Sequence, residues 1–276
     1  MPHLHHGALG SSPVSLILTI FAVLVYLRGW LHVRSTSSNV IDTWRAGSFV
    51  LGLFSIWAAL ASPIAVWDEA SLTGHMIQHL LLMTFAAPLV LLGAPVLALW
   101  NGLPQRFAQG VLPILRWSLL QRVGRALTQP ALCWLAATAA LVVWHVPAAF
   151  TLGLQSEAWH VFEQTSFLAT GLLFWWPVVQ PWPSVSRWPE WSMILYLFLA
   201  TLPCDILSGF LVFSDRVAYS VYLSTSRPDL SVLGDQQCAG ALMWTCVTII
   251  YLVAGAILST RLLATPQKDP QSLEAL

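Results

Sequence analysis

The chain has 276 residues, of which 57% are hydrophobic and 9% charged, with a mean hydropathy of +0.71 and no net charge (12 Lys plus Arg against 12 Asp plus Glu). Soluble domains carry roughly 25% charged residues, and a soluble fold of this length has too little interior to hide so much apolar surface. Disorder, collagen, coiled coil and basic nucleic-acid binding are excluded; an integral membrane protein with several spans remains.

Crossing about 30 Å of hydrocarbon takes roughly 17–25 apolar residues. Seven runs meet that length, near 13–30, 47–67, 75–100, 130–150, 160–179, 191–213 and 236–262. They predict an all-α fold, a seven-transmembrane-helix bundle over 13–262, with a tail at 1–12 and another at 263–276. Trp30, Trp67, Trp100, Trp159, Trp175, Trp176, Trp182, Trp188 and Trp191 fall near span ends, the interfacial belt expected of indole. The residues before the first run lack a basic n-region and no small-residue cleavage site follows, so that run is expected to stay as an anchor.

Placement of the cations orients the bundle. Arg28, Arg34, Arg45, Arg106, Arg116, Arg122, Arg125, Arg187, Arg261 and Lys268 lie after odd-numbered spans or at the C-terminus; only Arg216 and Arg227 lie on the other side. This bias predicts an outer N-terminus and a cytoplasmic C-terminus. Lys268 is the sole lysine and sits in the polar tail, which removes a retinal-type Schiff base inside a span.

Two connections carry structure of their own. In the cytoplasmic stretch 101–129, Phe107, Val111, Leu115, Leu119 and Val123 recur at helical spacing beside arginines. This reads as an amphipathic segment on the lipid surface or as a partner-docking face. The outer connection 214–235 holds Tyr219, Tyr222 and Pro228 and is long enough to cap the bundle mouth. Cys133, Cys204, Cys238 and Cys246 lie in apolar surroundings without a CxxC pair, which reads as small buried hydrophobes rather than disulfides or a cysteine zinc site.

Ionisable residues inside spans are costly and mark functional sites. Span three enters as HMIQHLLLM, which puts His75, His79 and Met83 at i, i+4 and i+8 on one helix face, with Gln78 beside them. Span four ends in Trp144-His145-Val146-Pro147; span five enters with His160, Glu163 and Gln164; span six carries Cys204, Asp205 and Ser208; span seven follows Asp235-Gln236-Gln237. His75, His79, His145, His160, Glu163 and Asp235 therefore gather at the outer ends of their spans, an end fixed from Lys and Arg alone.

Imidazole binds copper, zinc or haem iron, and thioether selects Cu(I). His75 and His79 form a two-ligand clamp, His145 or His160 could complete it, and Met83 could add a soft ligand. Glu163, Gln164, Asp205, Asp235 and Gln236 are expected in support, with Glu163 or Asp235 orienting an imidazole through its second nitrogen. A bland alternative stands beside each residue. A single His at a span end is more often interfacial, Met83 alone is more often packing, and Asp235 and Gln236 can cap span seven. Asp205 divides between a proton path or ligand and a buried hydrogen bond. His3, His5 and His6 could collect metal loosely or form a plain tail.

The blocks HMIQHLLLMTFAAPLVLLGAP, WHVPAAF, AWHVFEQTSFLATGLLFWWPV and DQQCAGALMW, in that order over about 48–262, resemble the seven-span CtaG family of cytochrome c oxidase assembly factors. The resemblance implies a bacterial inner-membrane protein needed to mature a haem–copper terminal oxidase at its copper step. It also implies two partners, an oxidase subunit in the same bilayer and a soluble outer-side copper chaperone. The matching positions are His75, His79, His145, His160, Glu163, Asp235 and Gln236. Gln164 departs from the family, where relatives often have His.

Copper handling, with Cu(I) favoured, is thus the leading expectation and enzymatic activity is not expected. A haem-binding electron-transfer protein, a copper permease and a metal-dependent membrane hydrolase are the alternatives.

Overall fold

The computed structural model describes residues 13–36, 41–62, 67, 70–104, 106–107, 109–110, 113, 117–181, 188–224 and 230–264. His3, His5 and His6, Val111, Leu115, Arg116, Arg187, Arg227, Pro228 and the tail from 265 lie outside the described residues. Among the described residues every regular element is helical. In chain order these are α1 (Pro13–Thr36), α2 (Thr43–Ala61), α3 (Leu72–Leu80), a π-helical segment (Leu81–Ala86), α4 (Ala87–Leu92), α5 (Pro95–Gly102), α6 (Ser118–Leu127), α7 (Pro130–His145), α8 (Pro147–Gln155), α9 (Glu157–Val179), α10 (Glu190–Phe213), a 3₁₀ turn (Ser220–Ser224) and α11 (Val232–Ala264).

Burial differs from that of a soluble protein: polar side chains sit within a mostly apolar core while large apolar ones cover the surface. His75, Gln78, Glu163, Ser208 and Gln236 are at most 1% exposed, while Ile206, Phe213 and Leu263 are at least 75% exposed. Apolar side chains face outward into hydrocarbon and polar ones inward, as lipid demands. This is a multi-span α-helical membrane protein. Among the described residues, five helical stretches are long and apolar enough to span a membrane, or six if the bent pair α6 and α7 counts as one. The seven-span expectation also counts α9, which has 23 residues but is not among those stretches; Glu157, His160, Glu163 and Gln164 lower its hydropathy.

Proline and glycine set several span limits differently from the hydropathy runs. Span two stops at Ala61, with Ser62 extended, because Pro63 disfavours helical backbone at the residue before it. Span three ends at Leu92, and α5 is a separate helix beyond a break at Gly93 and Ala94 (φ 48°). Two side chains hold that break: the Tyr26 hydroxyl donates to the Gly93 carbonyl at 2.7 Å, and Arg45 donates to the Leu92 carbonyl at 3.3 Å. Span four ends at His145, where Val146 is extended ahead of Pro147 and α8 starts. Of the 101–129 stretch, α6 buries none of its residues and meets α7 at 67°.

Small residues let helices meet closely. A Cβ on Gly29 of α1 would run into the Ala98 carbonyl of α5, and one on Gly102 into the Val25 carbonyl. Gly171 of α9 sits against the Met83 backbone, where a Cβ would come within 3.0 Å. The buried residues Glu163, Phe167, Gly171, Phe174, Trp175 and Val178 of α9 recur every three or four positions, so one stripe faces the core.

Candidate metal centre

The polar residues of α3, α7, α9 and α11 meet at one end of the bundle. Arg45, which reaches Leu92, marks the other end. The 17 steps along the chain from His75 to Leu92 rise about 25 Å at 1.5 Å each, close to the depth of a hydrocarbon core.

α3 begins with two caps. Its own Ser71 accepts the Gly74 N–H at 3.1 Å, the expected N-cap bond. Asp235, from the first turn of α11, accepts the Leu72 N–H at 2.7 Å and the Thr73 hydroxyl at 2.6 Å. Asp235 therefore ties the histidine helix to α11, and an acid suits a helix N-terminus electrostatically. The neighbouring Gln236 accepts the Ala218 N–H at 2.7 Å and donates to the Arg216 carbonyl at 3.2 Å, pinning the 214–231 connection to the same end.

One turn into α3, His75 and His79 lie side by side, their ring centroids 4.1 Å apart. Glu163 of α9 reaches both: its Oε1 is 3.4 Å from His75 Nε2 and 3.5 Å from His79 Nε2. One donor atom from each of the three falls within 4.8 Å of the others, and all three residues are buried. Neither Glu163 carboxylate oxygen accepts a hydrogen bond.

These spacings are informative. Hydrogen bonds from nitrogen to oxygen run roughly 2.7–3.2 Å, so the carboxylate stands off from the imidazoles. Around a tetrahedral ion with bonds of ~2.0–2.1 Å, neighbouring donor atoms lie about 3.3 Å apart, close to the observed 3.4 and 3.5 Å. A His₂Glu set suits zinc and copper(II) better than a purely soft cation. The residues present thus fit a metal ion, with Glu163 as a third donor where the sequence suggested an orienting partner.

α8 closes the site. After the Val146–Pro147 break it folds back so that Phe150, 1% exposed, stacks 4.7 Å from the His75 ring. Gly153 lies against the carboxylate: a Cβ there would come within 2.6 Å of Glu163 Oε2. Tyr219, from the connection after α10, packs on Phe150 at 4.1 Å and donates to the His145 carbonyl at 3.0 Å, an acceptor released from the helical ladder by the break. Burial, assisted by the nearby Glu163, pushes the Tyr219 phenol up, which keeps it a donor.

The other sequence candidates are distributed around this trio. His160 is half-buried, its ring 6.4 Å from that of His75. Gln164, at the position where the family resemblance leads one to expect His, donates to His160 Nε2 at 2.8 Å, and Gln78, buried by its bond to the Ala59 carbonyl at 3.0 Å, approaches the same nitrogen at 3.4 Å. His145 stands 6.2 Å from His79 between ring centroids, with Nδ1 2.7 Å from the Leu141 carbonyl and Nε2 3.4 Å from Met76 Sδ.

Met83 falls in the π-helical segment, which shifts it from the simple i, i+4, i+8 face. Pro88 offers no N–H to the Thr84 carbonyl, and the wider turn ahead of it absorbs that loss. The Met83 carbonyl instead accepts the Trp175 indole N–H at 3.1 Å. Asp205 is apart from the cluster, in a groove between α10 and α11 with Thr201, Trp244 and Thr248. Met76 and Gly153 were missed by sequence reasoning. Met76 faces the cluster only because the helices pack as they do, and the role of Gly153 depends on the fold-back of α8.

Comparison with known proteins agrees with this arrangement of blocks. The model of the cytochrome c oxidase caa3 assembly factor family (Caa3_CtaG) matches residues 24–265. Uncharacterized proteins of Mycobacterium bovis and Mycobacterium tuberculosis are each 25% identical over 245 residues, 86% of this chain and 36% of theirs. One of Mycobacterium leprae is 25% identical over 242 residues, 83% of this chain and 36% of its own. The chain thus spans about a third of the length of these curated relatives. No solved structure matches it. With the family model covering most of the helical bundle, including the two helices that supply the His₂Glu trio, the chain belongs to the cytochrome c oxidase caa3 assembly factor family.

Proposed function

We propose that this protein matures a haem–copper terminal oxidase by holding a copper ion as cargo on His75, His79 and Glu163 and passing it to an oxidase subunit in the same bilayer. In this reading the chain crosses a bacterial inner membrane seven times with the histidine end outward, and a soluble copper chaperone on that side loads it. The observation that carries the reading is the buried trio, with carboxylate-to-imidazole spacings of 3.4 and 3.5 Å. Family membership supplies the oxidase.

The space that His79 and His145 share is about 50 Å³, against roughly 300–1,000 Å³ for pockets that hold small molecules. That favours an ion over a haem. Metal analysis of detergent-purified protein tests the reading: wild type is expected to carry copper after loading, and His75→Ala/His79→Ala to carry about one equivalent less. Membranes from cells making only the double variant should lack oxidase activity. Normal oxidase activity with normal copper content in that variant would overturn the proposal.

A further inference from the structure

Beside the trio lies a second group of donors. A cavity of about 50 Å³ is bordered by Met76, Met83, His145, Cys204 and Met243, and it reaches the trio through His79. Met76, Cys204 and Met243 are each at most 4% exposed. Cys204 Sγ has Ser208 Oγ at 3.8 Å.

The tautomer of His145 gives this cavity its meaning. Nδ1 lies 2.7 Å from the Leu141 carbonyl, which can only accept, so Nδ1 carries the proton. In the neutral ring Nε2 is then a bare lone pair. It points at Met76 Sδ, another lone-pair atom, 3.4 Å away. Two acceptors thus face each other in the interior with no proton to share, an arrangement a cation between them would satisfy. Bonds of ~2.3 Å to sulfur and ~2.0 Å to nitrogen over that 3.4 Å edge give an angle of ~105°, near tetrahedral. Thioether, thiol and imidazole together select Cu(I).

We propose that the cavity is a second metal site, for a soft monovalent cation, with His145 Nε2 and Met76 Sδ as its leading ligands and Met243 and Cys204 beside them. It extends the copper reading of the trio but stands or falls separately. The two sites differ in kind. The carboxylate of the trio suits a divalent ion, and the sulfur-rich cavity a monovalent one. Sharing the His79 wall, they form adjacent stations along one helix.

The test uses the full chain in detergent, with Ag(I) and Zn(II) as separate probes. Wild type is expected to retain both. Met76→Leu/Met243→Leu, which nearly conserves volume, should weaken Ag(I) at least tenfold and leave Zn(II) unchanged. His75→Ala/Glu163→Gln should lose Zn(II) and keep Ag(I). Undiminished Ag(I) affinity in the methionine variant overturns the second site whatever Zn(II) does, whereas loss of Ag(I) there without Zn(II) binding anywhere upholds it and counts against the trio. If the methionine variant does not fold, X-ray absorption of Cu(I)-loaded wild type decides: sulfur neighbours near ~2.3 Å are expected, and a shell of nitrogen and oxygen alone overturns the proposal.

Discussion

Glu163 is the most demanding side chain in the protein. It is fully buried, its oxygens accept no hydrogen bond, and it stands 3.4–3.5 Å from two imidazole nitrogens. A buried carboxylate so placed is expensive unless a cation or proton compensates it. Glu163→Gln keeps the shape and removes the charge, so metal retention should fall at least about 100-fold, the upper end of what losing even an outer partner costs, while the protein still purifies folded. Gly153→Ala is a subtler probe. Its new Cβ, 2.6 Å from Glu163 Oε2, must displace the carboxylate, and a roughly tenfold loss of metal affinity at unchanged expression is expected. Equal affinity in both variants would show that the carboxylate is not a ligand. The spacing of His75 and His79 was readable because a helix repeats every 3.6 residues. The part played by Glu163 was not, since reach across a helix interface depends on packing.

At the level of elements, the site is built from interruptions in helices. The Val146–Pro147 break folds α8 over the trio, the π-helical segment moves Met83, and the Gly93–Ala94 turn separates α5. Asp235 locks α3 to α11 by accepting a backbone N–H and a hydroxyl. Asp235→Ala leaves those donors buried and unpaired, at a cost of about 1–3 kcal/mol. Thermal unfolding should show that loss, and metal affinity should drop roughly tenfold as α3 loosens. The α1–α5 contact offers a stability test far from the metal. Gly29→Val or Gly102→Val forces a side chain into a facing carbonyl. Either should destabilise by at least about 1–3 kcal/mol, the usual cost of overpacking, and leave the affinity of the folded fraction for metal intact. The expected runs 47–67, 75–100 and 130–150 passed through Pro63, Pro95 and Pro147 without marking a break. The direction each helix takes afterwards was not announced, because it is set by what the chain packs against.

At the scale of the whole bundle, the described polar cluster lies at one end, with Arg216 as a cation beside it. The trio, Asp235, Gln236 and Tyr219 share one end, and Arg45 closes the turn at the other. If arginines mark the cytoplasm, Cys238, exposed one turn past Asp235, lies on the outer side. A membrane-impermeant maleimide added to intact spheroplasts should label wild type and not Cys238→Ser. Labelling only after the membrane is opened would reverse the orientation.

Composition and periodicity alone were enough for a helical membrane protein, for the approximate place of its apolar stretches and for the gathering of histidines at one end, because hydropathy and the 3.6-residue repeat act locally along the chain. The choice of donors was a different matter. Glu163 joins His75 and His79, His145 turns to Met76, and Asp205 is left in a separate groove. Those pairings arise between helices distant in sequence, where small residues and proline breaks set the distances, and only the packed bundle brings them within a few ångströms.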